Sequence, residues 1–259
     1  MKVGIVGAGN MGGAIARGLL QSKALEPDDL YLADIRQELL QPFAALGANT
    51  STRGVDAVAK ADVVVIAVKP WIAMETLHKL RPAFRPQAIV VSVAAGVTLG
   101  QMRTEAQGLP TFRVIPNIAA VAGQSMTFVA SDSASREQEQ ATLALFAGLG
   151  KTMLIPESQM AAATALSSCG IAYAMRYISA NMRAGVELGF SPDVAKEIML
   201  QTLQGAVSLL AQSGEHPEAE IDRVTTPKGL TIKGINQLEH GGFTSAIINA
   251  VKAAMQVSS

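Results

Sequence analysis

The stretch Lys2-Val3-Gly4-Ile5-Val6-Gly7-Ala8-Gly9-Asn10-Met11-Gly12 decides the fold. Lys2 to Val6 reads as a short buried strand, and a helix runs from about Asn10 to Ser22. Between them lies the spacing G-x-G-x-x-G. That pattern is weak alone, but here it follows a strand and opens a helix, the setting in which it cradles a dinucleotide. Gly7 suits a tight turn. Gly9 has no Cβ, so a pyrophosphate can approach the backbone, and Gly12 lets the helix pack on the strand. The free N–H groups and the dipole at the helix start favour the phosphate charge.

Working outward, Leu30 to Ala33 is a second strand ended by Asp34, and a helix is expected from there to about Leu46, stopped by Gly47. Val63 to Val68 is an unbroken β-branched run of the kind buried on both faces of a parallel sheet. Ala88 to Val93 and Thr111 to Ile115 follow. Met126 to Ala130 and Thr152 to Ile155 are the last strand candidates, with a helix from about Ala134 to Ala147 between them. This alternation predicts an α/β Rossmann-type, doubly wound sheet over residues 1–155. From Pro156 no strand signal remains, so residues 156–259 are expected to form an all-α domain for substrate binding and dimerisation. Ile171, Met175, Ile178, Met182 and Val186 recur at helical spacing. Leu203, Val207 and Leu210 repeat the stripe after Ser191-Pro192, which open a helix as N-cap and N1, and Ile247, Val251 and Met255 repeat it again. Such stripes suit a core or a subunit interface. Small residues including Ala172, Ala180 and Gly185 allow close helix approach, which suggests a homodimer or higher homo-oligomer.

Composition narrows the functions. The 259 residues carry 21 Lys+Arg against 21 Asp+Glu, so there is no basic footprint for nucleic acid. The single cysteine, Cys169, makes no internal disulfide and fits a reducing, cytoplasmic setting. His78, His216 and His240 lack metal-ligand spacing, so no metal is expected. The apolar start is cut by Gly4, Gly7, Gly9, Asn10, Gly12, Gly13 and Arg17, unlike a signal core, and no apolar span is long enough to cross a membrane.

The strand ends nominate the remaining cofactor contacts. Asp34 can bond adenine ribose hydroxyls, which favours NAD, whereas Arg36 can hold a 2′-phosphate, which favours NADP. The two signals conflict, and both NADP and NAD stay open. Val68-Lys69-Pro70, Ala95-Gly96 and Asn117 close successive strands at the carboxyl edge, where open α/β sheets bind ligands. Arg36 and Lys69 also suit plain solvated helix-start cations.

These residues resemble the pyrroline-5-carboxylate reductase family nearly end to end. The likeness rests on Gly7 to Gly12, Ala67-Val68-Lys69-Pro70, Val93-Ala94-Ala95-Gly96-Val97-Thr98, Arg113-Val114-Ile115-Pro116-Asn117 and Ala184 to Gly189. The most specific parts are Val224-Thr225-Thr226-Pro227-Lys228-Gly229-Leu230-Thr231-Ile232 and Leu238 to Phe243. The resemblance implies reduction of the C=N bond of 1-pyrroline-5-carboxylate to proline with NAD(P)H, on a Rossmann domain followed by a helical dimerisation domain. By the same resemblance, the Thr231 hydroxyl bonds the ring nitrogen, Thr226 and the Gly229 backbone hold the carboxylate, and Lys228 and Leu230 line the same substrate loop. N–H groups at a helix start near Leu230 suit a carboxylate. A protonated cyclic imine accepts hydride readily, so positioning and one hydrogen-bond partner suffice. Thr231 also suits a plain N-terminal helix cap.

Several positions depart from the family's usual pattern. Lys228 stands for a glycine, Leu230 for a small residue, and Ile118-Ala119 for Thr-Pro, while Ser168, Cys169 and Ile171 interrupt a serine–glycine alternation. These departures leave two alternatives, a paralogue reducing another cyclic imine and a non-catalytic NADP-binding protein. A β-hydroxyacid dehydrogenase shares the two-domain plan but needs a lysine base, and Glu157 to Gly189 contains no lysine. Its cations, Arg176 and Arg183, do not deprotonate.

Overall fold

The structure is a computed structural model that describes residues 1–255, so the last four residues of the 156–259 expectation lie outside the described residues. Eight strands form one sheet: β1 Val3–Val6, β2 Leu30–Ala33, β3 Asn49–Ser51, β4 Val63–Ile66, β5 Ile89–Ser92, β6 Thr111–Ile115, β7 Ser125–Asp132 and β8 Gly150–Leu154. Their order is β3-β2-β1-β4-β5-β6-β7-β8. Strands β1 to β6 are mutually parallel, β7 runs antiparallel to β6, and β8 is parallel to β7. The carboxyl ends of the six parallel strands therefore share one edge.

Helices α1 Asn10–Gln21, α2 Gln41–Ala44, α3 Gly54–Val58, α4 Pro70–Leu80, α5 Leu99–Ala106, α6 Arg136–Ala147 and α7 Met160–Thr164 accompany the sheet. The apolar run of β4 is split between its faces, because successive side chains of a strand point oppositely. Val63 and Val65 join Ile5, Ile15, Leu19, Phe43, Phe112 and Phe146 on one face. Val64 and Ile66 join Leu77, Val90, Met102, Phe128 and Met160 on the other. Burial on both faces is why β4 reads as continuous rather than alternating.

One expectation is corrected here. The single helix from Asp34 to Leu46 is instead a 3-10 turn at Gln37–Leu39 followed by the four-residue α2. Arg36 is extended, and Pro42 sits in the first turn of α2, where it lacks the N–H needed to continue an earlier helix. The sheet and these helices form the first of two compact units. It spans Met1–Ser168, because Met160 and Ala163 of α7 are buried in the same cluster as β4 and α4.

The second compact unit is Cys169–Ser259. Its described helices are α8 Gly170–Glu187, α9 Pro192–Ser213, α10 Pro217–Arg223, α11 Leu230–His240 and α12 Phe243–Met255. Ser191 caps α9 by accepting from the Val194 N–H, with Pro192 at N1. Gly185 lets α8 approach α9 closely, since a Cβ there would lie 2.9 Å from that of Ala195. The Tyr173 hydroxyl donates to the Ala250 carbonyl at 3.2 Å and the Tyr177 and Phe243 rings sit 6.2 Å apart, tying α8 to α12. Among the described residues of this unit only Ala195 is buried. The apolar stripes of α8, α9 and α12 are thus half-exposed or exposed.

Candidate active site

The glycine turn is a sealed backbone cradle with one open side. Gly7 has φ +104°, and a Cβ there would lie 2.7 Å from the Ala67 carbonyl oxygen, so the end of β1 is pressed against the segment leaving β4. A Cβ on Gly12 would fall 1.9 Å from the Gly7 carbonyl oxygen, which no side chain tolerates. Gly9 differs. It is the N-cap of α1 and makes no side-chain cap bond. The one atom within 4 Å of a Cβ built on it is Arg36 Nη2, at 3.8 Å. The turn is therefore closed toward the protein at Gly7 and Gly12 and open at Gly9, and no acidic residue occupies the first turn of α1. Such a cradle fits a pyrophosphate.

Ala8 is held from behind. Its N–H donates to Asp34 Oδ2 at 2.8 Å, and the Gly7 N–H donates to the Ala33 carbonyl at 2.7 Å. Asn10 is exposed and Met11 half-buried against the core. Along the same carboxyl edge Val68 is half-buried, Lys69 and Pro70 are exposed, and Lys69 is the N-cap of α4. Ala95 and Gly96 are exposed beyond β5. Asn117 is buried, and its side-chain oxygen accepts from the Ala119 N–H, capping a 3-10 turn over Ile118–Ala122. Thr98, part of the motif after β5, forms a capping box with Gln101 at the start of α5.

Three large apolar side chains on this edge are exposed. Ile35 follows β2, Trp71 follows β4 with its ring 6.0 Å from Lys69 Nζ, and Ile118 follows β6. Exposed apolar groups at the carboxyl ends of strands suit contact with the flat rings of a ligand.

The substrate-loop candidates lie in the C-terminal unit. Thr226, Pro227, Lys228 and Gly229 form a turn closed by the Gly229 N–H donating to the Thr226 carbonyl at 2.9 Å. Lys228 occupies its third position with φ +63°, the conformation that favours glycine. Gly229 is the N-cap of α11 with no side-chain cap bond, and a Cβ there would lie 2.5 Å from Thr226 Oγ1. Leu230 and Thr231 are the first two helical residues, both exposed. Because Gly229 holds the cap position, Thr231 is not the helix cap. The uncapped N–H groups of α11 and the hydroxyls of Thr226 and Thr231 belong to one short segment. A turn of π-helix spans Ala165–Cys169, and within it the Ser167 and Ser168 hydroxyls are buried without a hydrogen-bond partner among the described residues.

Comparison with known proteins joins these parts. The family model for pyrroline-5-carboxylate reductase dimerisation matches residues 157–259, and that for NADP oxidoreductase, coenzyme F420-dependent, matches residues 2–96. The chain is 36% identical to pyrroline-5-carboxylate reductase of Glycine max, over 99% of this chain and 94% of that protein. It is 35% identical to pyrroline-5-carboxylate reductase 1 of Dictyostelium discoideum, over 96% of this chain but only 48% of that protein, so it spans about half of that relative. The crystal structure of Plasmodium falciparum pyrroline carboxylate reductase with NADP bound superposes with a TM-score of 0.88 at 26% identity, covering 99% of this chain and 96% of that one. The chain thus belongs to the pyrroline-5-carboxylate reductase family.

Proposed function

We infer that this protein reduces 1-pyrroline-5-carboxylate to L-proline, drawing on NAD(P)H. The observation that carries this reading is family membership over the whole chain rather than over the dinucleotide-binding half alone. When bound, the reduced nicotinamide would supply a hydride to the carbon of the C=N bond in its iminium form, whose ring nitrogen already carries the proton. The protein's own residues do the rest. The N–H groups opening α1 hold the pyrophosphate, with Gly9 leaving room for it. Val68, Lys69, Pro70, Ala95, Gly96 and Asn117 shape the edge on which the remainder of the coenzyme lies.

The uncapped start of α11 takes the substrate carboxylate, with Thr226 and the Gly229 backbone as donors and Lys228 as the adjacent cation. Leu230 covers the ring. The Thr231 hydroxyl accepts from the protonated ring nitrogen and orients it for hydride transfer. No strong acid is needed, because the iminium form already carries the proton.

The family's dimerisation region covers the C-terminal unit, and the nearly unburied helices α8 to α12 fit a homodimer or larger homo-oligomer. A unit with so little internal core gains its stability by covering those faces. No helix among the described residues is long and apolar enough to cross a membrane. A lone cysteine suits the cytoplasm.

The test is direct. Purified protein given 1-pyrroline-5-carboxylate and NADPH or NADH is followed at the reduced-nicotinamide absorbance, with proline identified by mass spectrometry. Coenzyme oxidation with matching proline supports the reading. Absence of turnover with both coenzymes overturns it.

A further inference from the structure

The coenzyme edge is made of loops that close successive strands, and two of those loops share one anchor. In the sheet order, β5 and β6 stand two and three strands from β1, roughly 10 and 14 Å at ordinary strand spacing. A dinucleotide with its pyrophosphate at the start of α1 and its adenosine over β2 directs its nicotinamide toward β5 and β6. The loops that follow them, through Ala95-Gly96 and Asn117, therefore face the half of the coenzyme that reacts.

Arg113 is at the centre of that anchor. Phe112 and Val114 belong to one apolar cluster of the sheet, so the alternation of β6 turns Arg113 to the opposite face, where Ala94, Val97, Leu99 and Met160 are buried. Its side chain is 14% exposed, and its Nε is buried without a partner among the described residues. Its Nη1 donates to Glu157 Oε1 at 3.2 Å. The same oxygen accepts from the Leu99 N–H at 2.7 Å. Leu99 is the first residue of α5, and an acidic group suits that helix end. One carboxylate oxygen thus joins β6, just before its end, to the start of α5, just after Gly96.

Both loops are also pinned at their other ends. The Ala94 N–H donates to Ser92 Oγ at 3.3 Å, and the Asn117 N–H donates to Ser125 Oγ at 3.1 Å. Between the anchors of the first loop, Ala95 and Gly96 stay exposed, and a Cβ built on Gly96 meets nothing within 4 Å. Fixed ends with an open tip suit a surface that holds a flat ring at a set height. Stability alone does not call for this arrangement. Ion pairs taken out of water stabilise weakly, and apolar side chains of similar volume serve a core as well or better.

We propose that Arg113 and Glu157 are positioning residues, whose pair couples the loops after β5 and β6 and sets the height at which the nicotinamide lies for hydride transfer. The proposal rests on the reductase reading above, and binding measurements separate the two. The full-length protein is titrated calorimetrically with NADPH, NADH, ADP-ribose and ADP-ribose 2′-phosphate, the last two lacking the nicotinamide. Glu157→Ala removes the anchor. Arg113→Met combined with Glu157→Gln removes the ion pair but leaves an apolar side chain in the buried site and an amide oxygen for the Leu99 N–H, so the fold is kept. In both variants the nicotinamide-free ligands are expected to keep their Kd within about twofold, while the tighter reduced coenzyme weakens about fivefold or more. The kcat with 1-pyrroline-5-carboxylate is expected to fall about tenfold or more. A merely structural role moves coenzyme and fragment together, because unfolded protein loses every site at once. An unchanged affinity ratio between coenzyme and fragment, or a kcat within about twofold of the unaltered protein's, would overturn the assignment. If the unaltered protein binds a coenzyme but leaves the imine unreduced, the reductase reading falls, and the affinity ratio still decides the positioning role. Failure of every dinucleotide to bind overturns both.

Discussion

At the scale of single residues, the substrate loop concentrates the tests. Thr231 is exposed at the second position of α11, and the cap position belongs to Gly229. In the proposed reaction its hydroxyl accepts from the ring nitrogen, and a hydrogen bond to a charged partner contributes roughly 1.5–3 kcal/mol. Thr231→Ala is therefore expected to lower kcat roughly 10- to 100-fold, with the Kd for NADPH, read by fluorescence, nearly unchanged. A mutant with full turnover would show that the hydroxyl is not used. Lys228 raises a different question. A non-glycine residue in the left-handed region costs roughly 1–2 kcal/mol, and its φ is +63°. Replacement by glycine removes that strain but adds freedom to the unfolded chain, so the two effects nearly cancel. Lys228→Gly should leave the melting temperature almost unchanged or slightly raised. If the ammonium pairs with the substrate carboxylate, KM for the imino acid rises several-fold in the same mutant. An unaltered KM would make Lys228 a bystander.

At the scale of elements, one ionic contact joins three pieces of the N-terminal unit. Glu157, just after β8, accepts from the Leu99 N–H opening α5 at 2.7 Å and from Arg113 on β6 at 3.2 Å. The Arg113 side chain is largely buried, and its Nε has no partner. Removing the carboxylate leaves a buried guanidinium uncompensated and an N-terminal N–H of α5 unsatisfied. Glu157 is itself about one-third exposed, so water softens the loss. Glu157→Ala is expected to cost about 2 kcal/mol, measured by urea unfolding of the full chain, and a change under half that would mean solvent replaces the carboxylate. Alternation of strand and helix made this layer legible in the sequence, because strands buried on both faces carry continuous apolar runs. Strand β3, Asn49–Ser51, was not legible. It is a polar three-residue edge strand that pairs on one side only, with β2.

At the scale of the whole molecule, the two units differ in how they keep apolar surface from water. The sheet unit buries clusters on both of its faces. The helical unit leaves Met175, Val186, Leu200, Val207, Leu209, Ile247 and Ile248 exposed. Exposed apolar side chains in the region matched by the family's dimerisation model fit the proposed subunit interface. If α9 lies in the proposed interface, Val207→Asp places a charge there and is expected to shift the protein from dimer toward monomer in light scattering at micromolar concentration. Thermal stability should fall with it and become dependent on protein concentration. An unchanged dimer would move the seam to another face.

The residues alone determined the Rossmann layer, the glycine turn, the helical second half and the family motif around Gly229. All of these depend on local spacing, periodicity or a continuous motif, which a linear chain displays. Three matters were decided only by tertiary structure. Asp34 turns its carboxylate to an N–H 26 residues away, so its role depends on a contact that no local pattern encodes. Periodicity revealed the apolar stripes of α8, α9 and α12, but whether a stripe is core or interface depends on what packs against it. The N-terminal unit runs to Ser168 because α7 packs into the sheet's core. The loss of strand signal at Pro156 marks the end of a pattern, whereas a unit ends where its buried contacts end.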